Sequence, residues 1–350
     1  MIVVMRAEAT PDQVQHVKDL ISDMGLTPHP IVGTDLTVVA VIGDDRKKEG
    51  SVLETAPGVD RVMKVLKPYK MSAKTEHHPK TTPVRVGEGD GCVFGGPNIS
   101  VIAGPCSVES RDQILASARA ARAAGAHALR GGAFKPRTNP YSFQGLGEQG
   151  LELLAEARAE TGLPIVTEVV AETDIELVDR YADCLQIGTR NAQNFRLLEA
   201  VGKSTQTPVL FKRGMWMTLD EYLQATEYLL AHGNPNVILC ERGIRTFEKF
   251  SRNTLSLAAV AELKDRTHLP VVSDPSHGTG VARLVASMSR ASIAAGADGL
   301  ALEMHPDPQH AMTDGAQSID PAALAELMPQ LARVAEAVGR NMLLPETAAV

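Results

Sequence analysis

Ionisable and thiol residues recur in this chain at the ends of short apolar runs, where a folded protein ordinarily excludes charge. Cys106 follows Ser100–Gly104, Arg130 closes Ala126–Arg130 with Lys135 and Arg137 beyond it, and Glu168 closes Pro164–Glu168. Arg190 follows Cys184–Gly188, Lys212 closes Pro208–Lys212, and Arg242 follows Val237–Glu241. Asp274 closes Pro270–Asp274 with His277 after it, and Glu303 closes Gly299–Glu303 with His305 and Asp314 after it. Buried charge is costly unless paired or bound to a ligand, so this many at run ends points to a site. Cys106, His277, Glu303 and Asp314 offer a thiolate, an imidazole and two carboxylates. That mixture suits a divalent transition metal better than Mg²⁺ or Ca²⁺ and leaves Mn²⁺, Fe²⁺, Co²⁺ and Zn²⁺ open. Arg130, Lys135, Arg137, Arg190, Lys212, Arg213 and Arg242 form a second, basic set. Guanidinium forks bind phosphate and carboxylate bidentately and lysine adds a compact charge, so one or two small polyanionic substrates are implied. Each residue alone has a blander explanation: a lone Cys as core, a lone His as a structural hydrogen-bonder, and Arg213 as a surface partner of helix acids. Glu168 and His305 are candidates for proton handling by position.

The elements that must position these residues repeat from Ser100 onward: an apolar strand, a polar loop, an amphipathic helix. The runs named above are the eight strands. Helices such as Arg111–Ala124, Leu151–Thr161, Leu219–His232 and Arg283–Ala295 lie between them. Gly125-Ala126 and Gly296-Ala297 read as helix stops feeding the next strand, and Pro164, Pro208 and Pro270 as strand starts. Eight such units over about 240 residues predict a closed parallel (β/α)8 TIM barrel. An open doubly wound sheet would want a Gly-rich phosphate turn after its first strand, and AGPCSVES is not one. In a closed barrel strands seven, eight and one are neighbours, so Cys106, His277, Glu303 and Asp314 converge at the C-terminal rim. Cys184 and Cys240 lie among apolar neighbours and read as core; Cys92, in GDGCVFGGP, receives no role. Trp216, the one tryptophan, falls after strand five and either lines the site or packs on its wall.

Residues 1–70 predict a small α+β, ferredoxin-like domain. Its strands are Ile2–Met5, Thr27–Val32, Leu36–Ile42 and Val59–Val65, with one helix from Pro11 to Gly25 and a weaker one over Ser51–Ala56. Residues 71–90 are polar and aperiodic and read as a linker, with His77 and His78 as a solvated pair, before a barrel over 91–345. The net charge of −7 in 350 residues argues against a nucleic-acid partner. No basic start leads into an apolar run, so no signal peptide is expected, and no stretch is apolar enough for a membrane span. Four cysteines without close pairing fit a reducing, cytoplasmic setting.

The strings AGPCSVES, LRGGAFKPRTNPYSFQGLG, QIGTRNAQNF, LFKRGM, ILCERGIRTF, SDPSH and EMHPDP with TDGAQS together resemble the type I 3-deoxy-D-arabino-heptulosonate 7-phosphate (DAHP) synthases, and more closely the β subtype, whose members can carry a ferredoxin-like domain. The resemblance implies a metal-dependent condensation of phosphoenolpyruvate with erythrose 4-phosphate, the first step of the shikimate pathway. It implies Cys106, His277, Glu303 and Asp314 as metal ligands, with Cys106, Lys135 and His277 at the reacting centre. Arg130, Lys135, Arg190, Lys212 and Arg242 would hold phosphoenolpyruvate, and Arg137 with Thr138 the phosphate of the aldose. It also implies a homo-oligomer, tetramer or dimer, and an aromatic amino acid as feedback inhibitor bound through the front domain. Two departures stand beside the site: Asn139 where the family usually has Ser, and Gly278-Thr279 where Pro-Ala is commoner. The sister enzyme, 3-deoxy-D-manno-octulosonate 8-phosphate synthase, uses arabinose 5-phosphate and shares several strings. The KPRT segment favours the four-carbon sugar. A non-catalytic amino-acid sensor on the same barrel should have lost a ligand or a cage residue, and none is lost.

Overall fold

The computed structural model describes residues 1–32, 37–42, 50–63, 68–75, 78–89, 91–136 and 139–344. The chain divides into two compact units, one ending at Pro68 and the other starting at Tyr69. In the first unit, β1 (Ile2–Met5), β2 (Thr27–Val32), β3 (Thr37–Ile42) and β4 (Val59–Met63) form an antiparallel sheet in the order β2-β3-β1-β4. Helix α1 (Pro11–Asp23) starts at Thr10, whose hydroxyl and the Gln13 side chain satisfy each other's backbone N–H groups, and α2 is Gly50–Glu54. Val17 and Ile21 of α1 pack with Val3, Met5, Val39, Val41 and Leu53 to close a core of their own. This is the ferredoxin-like order expected from the sequence.

In the second unit eight parallel strands close on themselves: β7 (Ser100–Gly104), β8 (Ala128–Arg130), β9 (Ile165–Glu168), β10 (Cys184–Ile187), β11 (Val209–Lys212), β12 (Val237–Glu241), β13 (Val271–Ser273) and β14 (Gly299–Glu303). Closure is the β14–β7 pairing, Gly299 with Ser100 through to Glu303 with Gly104. The strands following Pro164, Pro208 and Pro270 begin one residue later than expected. A proline offers no N–H, but each of these carbonyls accepts a bond from the neighbouring strand. Helices α3 (Arg111–Ala123), α4 (Glu148–Thr161), α5 (Ile175–Asp179), α6 (Phe195–Ser204), α7 (Leu219–Ala231), α8 (Leu257–Arg266), α9 (Pro275–Thr279), α10 (Ala282–Ala294) and α11 (Pro321–Ala337) follow the strands around the outside. Among the described residues no helix is long and apolar enough to cross a membrane.

The stretch 71–90, expected to be a linker, belongs to the barrel unit. Val84–Arg85 (β5) pairs with Val93–Phe94 (β6), and Val84, Val86, Cys92 and Phe94 join the cluster that fills the barrel interior with Ile102, Ala128, Val166, Leu210, Ile238, Val272 and Ala301. The hairpin plugs the N-terminal end of the barrel: a side chain at Gly299 would meet the Phe94 ring at 2.5 Å. Cys184 and Cys240 lie in the same interior cluster, as core. His78 is exposed with its ring centroid 4.0 Å from that of His268, while His77 lies outside the described residues.

Candidate active site

Side chains along a strand alternate between faces, and that alternation builds the site. The interior layer contains Ile102, Ala128, Val166, Cys184, Leu210, Cys240, Val272 and Ala301. Two residues on, the next inward layer reads Gly104, Arg130, Glu168, Gln186, Lys212, Arg242, Asp274 and Glu303. All seven side chains of that layer are buried. At Gly104 a Cβ would collide with the Arg130 carbonyl, and φ is +148°, so β7 contributes space to this layer. Above it opens a cavity of about 260 Å³, lined among others by Lys135, Arg190, Lys212, Arg242, His277 and Asp314. A second void of about 10 Å³, room for roughly one water, lies among Cys106, Arg130 and Glu168.

On one wall, ligand atoms of Cys106, Glu303 and Asp314 lie within 4.8 Å of one another. The Cys106 thiol donates to Asp314 Oδ2 at 3.2 Å, and His277 Nε2 is 3.2 Å from Glu303 Oε1. His277 rides on α9, whose start is capped by Asp274: Oδ1 accepts from the His277 backbone N–H at 2.9 Å and Oδ2 sits 2.8 Å from its Nδ1. That leaves Nε2 turned to the cluster, the orientation a carboxylate–histidine pair gives a metal ligand. Burial, then the Glu303 carboxylate, push the Cys106 thiol up to about 12. Burial would raise the Asp274 carboxyl, but His277 and Lys212 hold it well below the usual carboxylate range. A buried thiol between two carboxylates is a poor arrangement for a metal-free protein and a good one for a thiolate-binding cation. The donor set therefore fits a divalent transition metal.

Cationic side chains adjoin this cluster directly. Lys212 Nζ reaches Asp274 Oδ2 at 2.6 Å, Arg130 Nη2 reaches Glu303 Oε1 at 3.0 Å, and Lys135 Nζ donates to the Cys106 carbonyl at 3.1 Å. Nε and Nη1 of both Arg130 and Arg242 are buried and have no partner among the described residues. Burial pulls the Arg242 guanidinium below its ordinary pKa. Arg190 is exposed at the mouth. Arg137 and Thr138 lie outside the described residues. Arg213 departs from its expected surface role. It is 7% exposed and pairs at 2.7 Å with Glu241, because a residue after inward-facing Lys212 points into the buried layer between strands and helices.

The family model for the DAHP synthetase I family matches residues 73–340, and that for the DAHP synthase ferredoxin-like domain matches residues 1–67. The chain belongs to the DAHP synthetase I family and is an enzyme. A phospho-2-dehydro-3-deoxyheptonate aldolase of Thermotoga maritima is 46% identical over 339 residues, covering 97% of this chain and 99% of that protein. The crystal structure of a DAHP synthase from Thermotoga maritima superposes with a TM-score of 0.90 at 44% identity, covering 98% of this chain and 99% of that one. A 2-dehydro-3-deoxyphosphooctonate aldolase of Syntrophotalea carbinolica is 33% identical over 247 residues, 65% of this chain and 87% of that protein.

The two departures from the usual DAHP synthase strings have local causes. Asn139 Oδ1 accepts from the Tyr141 N–H at 3.0 Å, turning the loop at the cavity mouth. Gly278 faces Leu255, where a Cβ would lie 2.6 Å from Cδ1, so a larger residue would displace that side chain. Trp216 is 53% exposed and bonds Gln193 on the loop after β10. His305 is not among the cavity-lining residues; its Nε2 lies 3.4 Å from Glu109 Oε2. Three residues escaped the sequence reading. Gln186 occupies the inward layer and donates to Glu168 at 3.2 Å. Arg252 and Gln317 bond each other and the carboxylates Asp314 and Glu303. Strand parity would have found Gln186; the other two are loop residues without periodic signal.

Proposed function

We propose that the chain condenses phosphoenolpyruvate with D-erythrose 4-phosphate and water, giving 3-deoxy-D-arabino-heptulosonate 7-phosphate and phosphate at the head of the shikimate pathway. The observation that carries this reading is the pair of buried guanidinium groups, Arg130 and Arg242, with Nε and Nη1 of each unpartnered among the described residues. A buried donor without a partner costs about 1–3 kcal/mol, and such a cost persists in a fold where a ligand completes the bond. A small acid carrying both phosphate and carboxylate would complete them, with Lys135, Arg190 and Lys212 adding charge around the same cavity. Arg137 and Thr138 would take the aldose phosphate. Held this way, C3 of phosphoenolpyruvate adds to the aldehyde carbon, water adds at C2, and phosphate leaves by C–O cleavage. The cage converts a two-substrate encounter into an oriented one and stabilises charge on the departing phosphate. Glu168, at the cavity wall, would move a proton.

Cys106, His277, Glu303 and Asp314 would hold Mn²⁺, Fe²⁺, Co²⁺ or Zn²⁺, which when bound supplies a Lewis acid for the aldehyde oxygen. The ferredoxin-like unit would carry feedback by an aromatic amino acid in a cytoplasmic homo-oligomer, a dimer or tetramer; the match over residues 1–67 supports that role. The deciding experiment follows phosphoenolpyruvate absorbance with erythrose 4-phosphate or arabinose 5-phosphate, with and without chelator. Turnover with the four-carbon sugar alone, abolished by chelator and restored by Mn²⁺ or Co²⁺, is expected. Turnover with arabinose 5-phosphate alone would reassign the substrate, and no turnover with either would end the proposal.

A further inference from the structure

Glu303 is fully buried, and both of its oxygens are occupied. Oε1 faces the cluster, 3.2 Å from His277 Nε2 and 3.0 Å from Arg130 Nη2. Oε2 points away and accepts from Gln317 Nε2 at 2.6 Å. Asp314 is divided the same way: Oδ2 faces the Cys106 thiol, and Oδ1 faces Arg252 Nη1 at 3.4 Å. The same Nη1 lies 3.2 Å from Gln317 Oε1. The Gln317 amide is thereby oriented, its oxygen toward the cation and its NH₂ toward Glu303. Gln317 is 2% exposed, so water is a poor substitute for either partner.

The local fold puts these groups in register. Asp314 has φ of +52°, the left-handed region that side chains rarely adopt, and opens a single 3₁₀ turn, Gly315–Gln317, in which the Gln317 N–H returns to the Asp314 carbonyl at 3.1 Å. Three residues apart on such a turn, the two side chains share one side. Arg252 is fixed from the other direction. Its N–H donates to the Thr279 carbonyl at 2.8 Å, and neighbouring Asn253 donates to the His277 carbonyl at 3.0 Å. One loop therefore touches the backbone of the element carrying His277 and the carboxylate of Asp314.

We infer that Gln317 and Arg252 are positioning residues for the metal centre, each gripping the carboxylate oxygen turned away from the cluster. This rests on the metal reading proposed above. Hydrogen bonds from such outer groups fix the rotamer of a ligating carboxylate, and their loss costs roughly 10–100-fold in metal affinity. Gln317, buried with a short bond to Glu303, should fall in that range. Arg252 is 42% exposed at its side chain and its bonds are longer, so its removal should cost roughly fivefold.

The test is a Co²⁺ titration of the chelator-stripped full chain, followed by thiolate-to-cobalt charge-transfer absorption. For Gln317→Met the Kd for Co²⁺ should rise roughly 10–100-fold with an altered band. Arg252→Gln should give the smaller rise and Arg252→Lys recover part of it. At saturating metal the KM of Gln317→Met for phosphoenolpyruvate should stay within about threefold of the parent, because Gln317 is not among the residues lining the cavity. A Gln317→Met protein that binds Co²⁺ like the parent, with the same band, overturns the inference. If that variant does not fold, Arg252→Gln decides, and an unchanged Kd there overturns it equally. A parent protein with no charge-transfer band would instead sink the metal reading and the inference resting on it.

Discussion

Replacing Arg242 with methionine separates what the guanidinium does for the fold from what it does for a ligand. Arg242 is 2% exposed, with Nε and Nη1 unpartnered. Two orphaned donors at about 1–3 kcal/mol each place a penalty of about 2–6 kcal/mol on the ligand-free protein. Methionine fills similar space without donors. The nearby Asp274 carboxylate keeps Lys212 at 2.6 Å and His277 at 2.8 Å. Metal-free Arg242→Met should therefore be as stable as the parent or more stable by about 1–3 kcal/mol. Catalysis should move the other way. Two charge-assisted hydrogen bonds to an anion contribute about 1.5–3 kcal/mol each, so about 3–6 kcal/mol is lost. That corresponds to a fall of roughly 10²–10⁴ in kcat/KM for phosphoenolpyruvate. The assays are the initial rate of absorbance loss at saturating aldose and metal, and urea unfolding of the chelated protein. A variant destabilised by more than about 2 kcal/mol that keeps kcat/KM within about threefold would make Arg242 a packing element and refute the reasoning.

Cys106→Ser should lower metal affinity by more than the roughly 100-fold of an outer-layer change, with activity falling alongside; full turnover after chelation would remove Cys106 from the centre. Metal and phosphoenolpyruvate should each tighten the other's binding by the same factor, roughly 5–150-fold, because a cation at Glu303 releases Arg130; equal Kd values with and without metal, by calorimetry, would deny the link. His127 governs an acid-side loss of stability away from the site. Burial lowers its imidazole to about 4, so between that value and about 6.5 the unfolded chain binds a proton that the folded chain does not. Stability should then fall by about 2 kcal/mol from pH 7 to pH 5. His127→Gln should flatten that slope in urea unfolding, and an identical slope would exclude the assignment.

How much could be read in advance depended on periodicity. Arg130, Lys212 and Glu303 were legible because they close strands whose preceding inward residue is apolar, and a period of two carries them into the next inward layer. Gln186 follows the same rule but is uncharged, so a search for charge at strand ends passes over it. The hairpin was misread because β5 and β6 are two residues each, too short to show a pattern. Its signal was the spacing itself: Val84 with Val86 and Cys92 with Phe94, on either side of a Gly-rich turn. Arg252 and Gln317 gave no signal of that kind. They meet only because one loop returns to α9 and another makes a 3₁₀ turn, and neither path follows from composition.

The ion pairs of this layer are stand-ins. Arg130 is matched to Glu303, Lys212 to Asp274, and Lys135 to a carbonyl. Each of these cations is thereby held in place before any substrate arrives. The pairing also satisfies carboxylates that would otherwise repel one another around Cys106. Among the described residues Arg242 has no such match at Nε and Nη1, and neither do two nitrogens of Arg130, so the cationic groups are under-neutralised. In the proposed reading a divalent cation binds beside Cys106 and a phosphorylated acid completes the unmatched guanidinium groups. The charge distribution of the barrel thus suits the proposed pair, a metal cation and an anionic substrate in adjacent places.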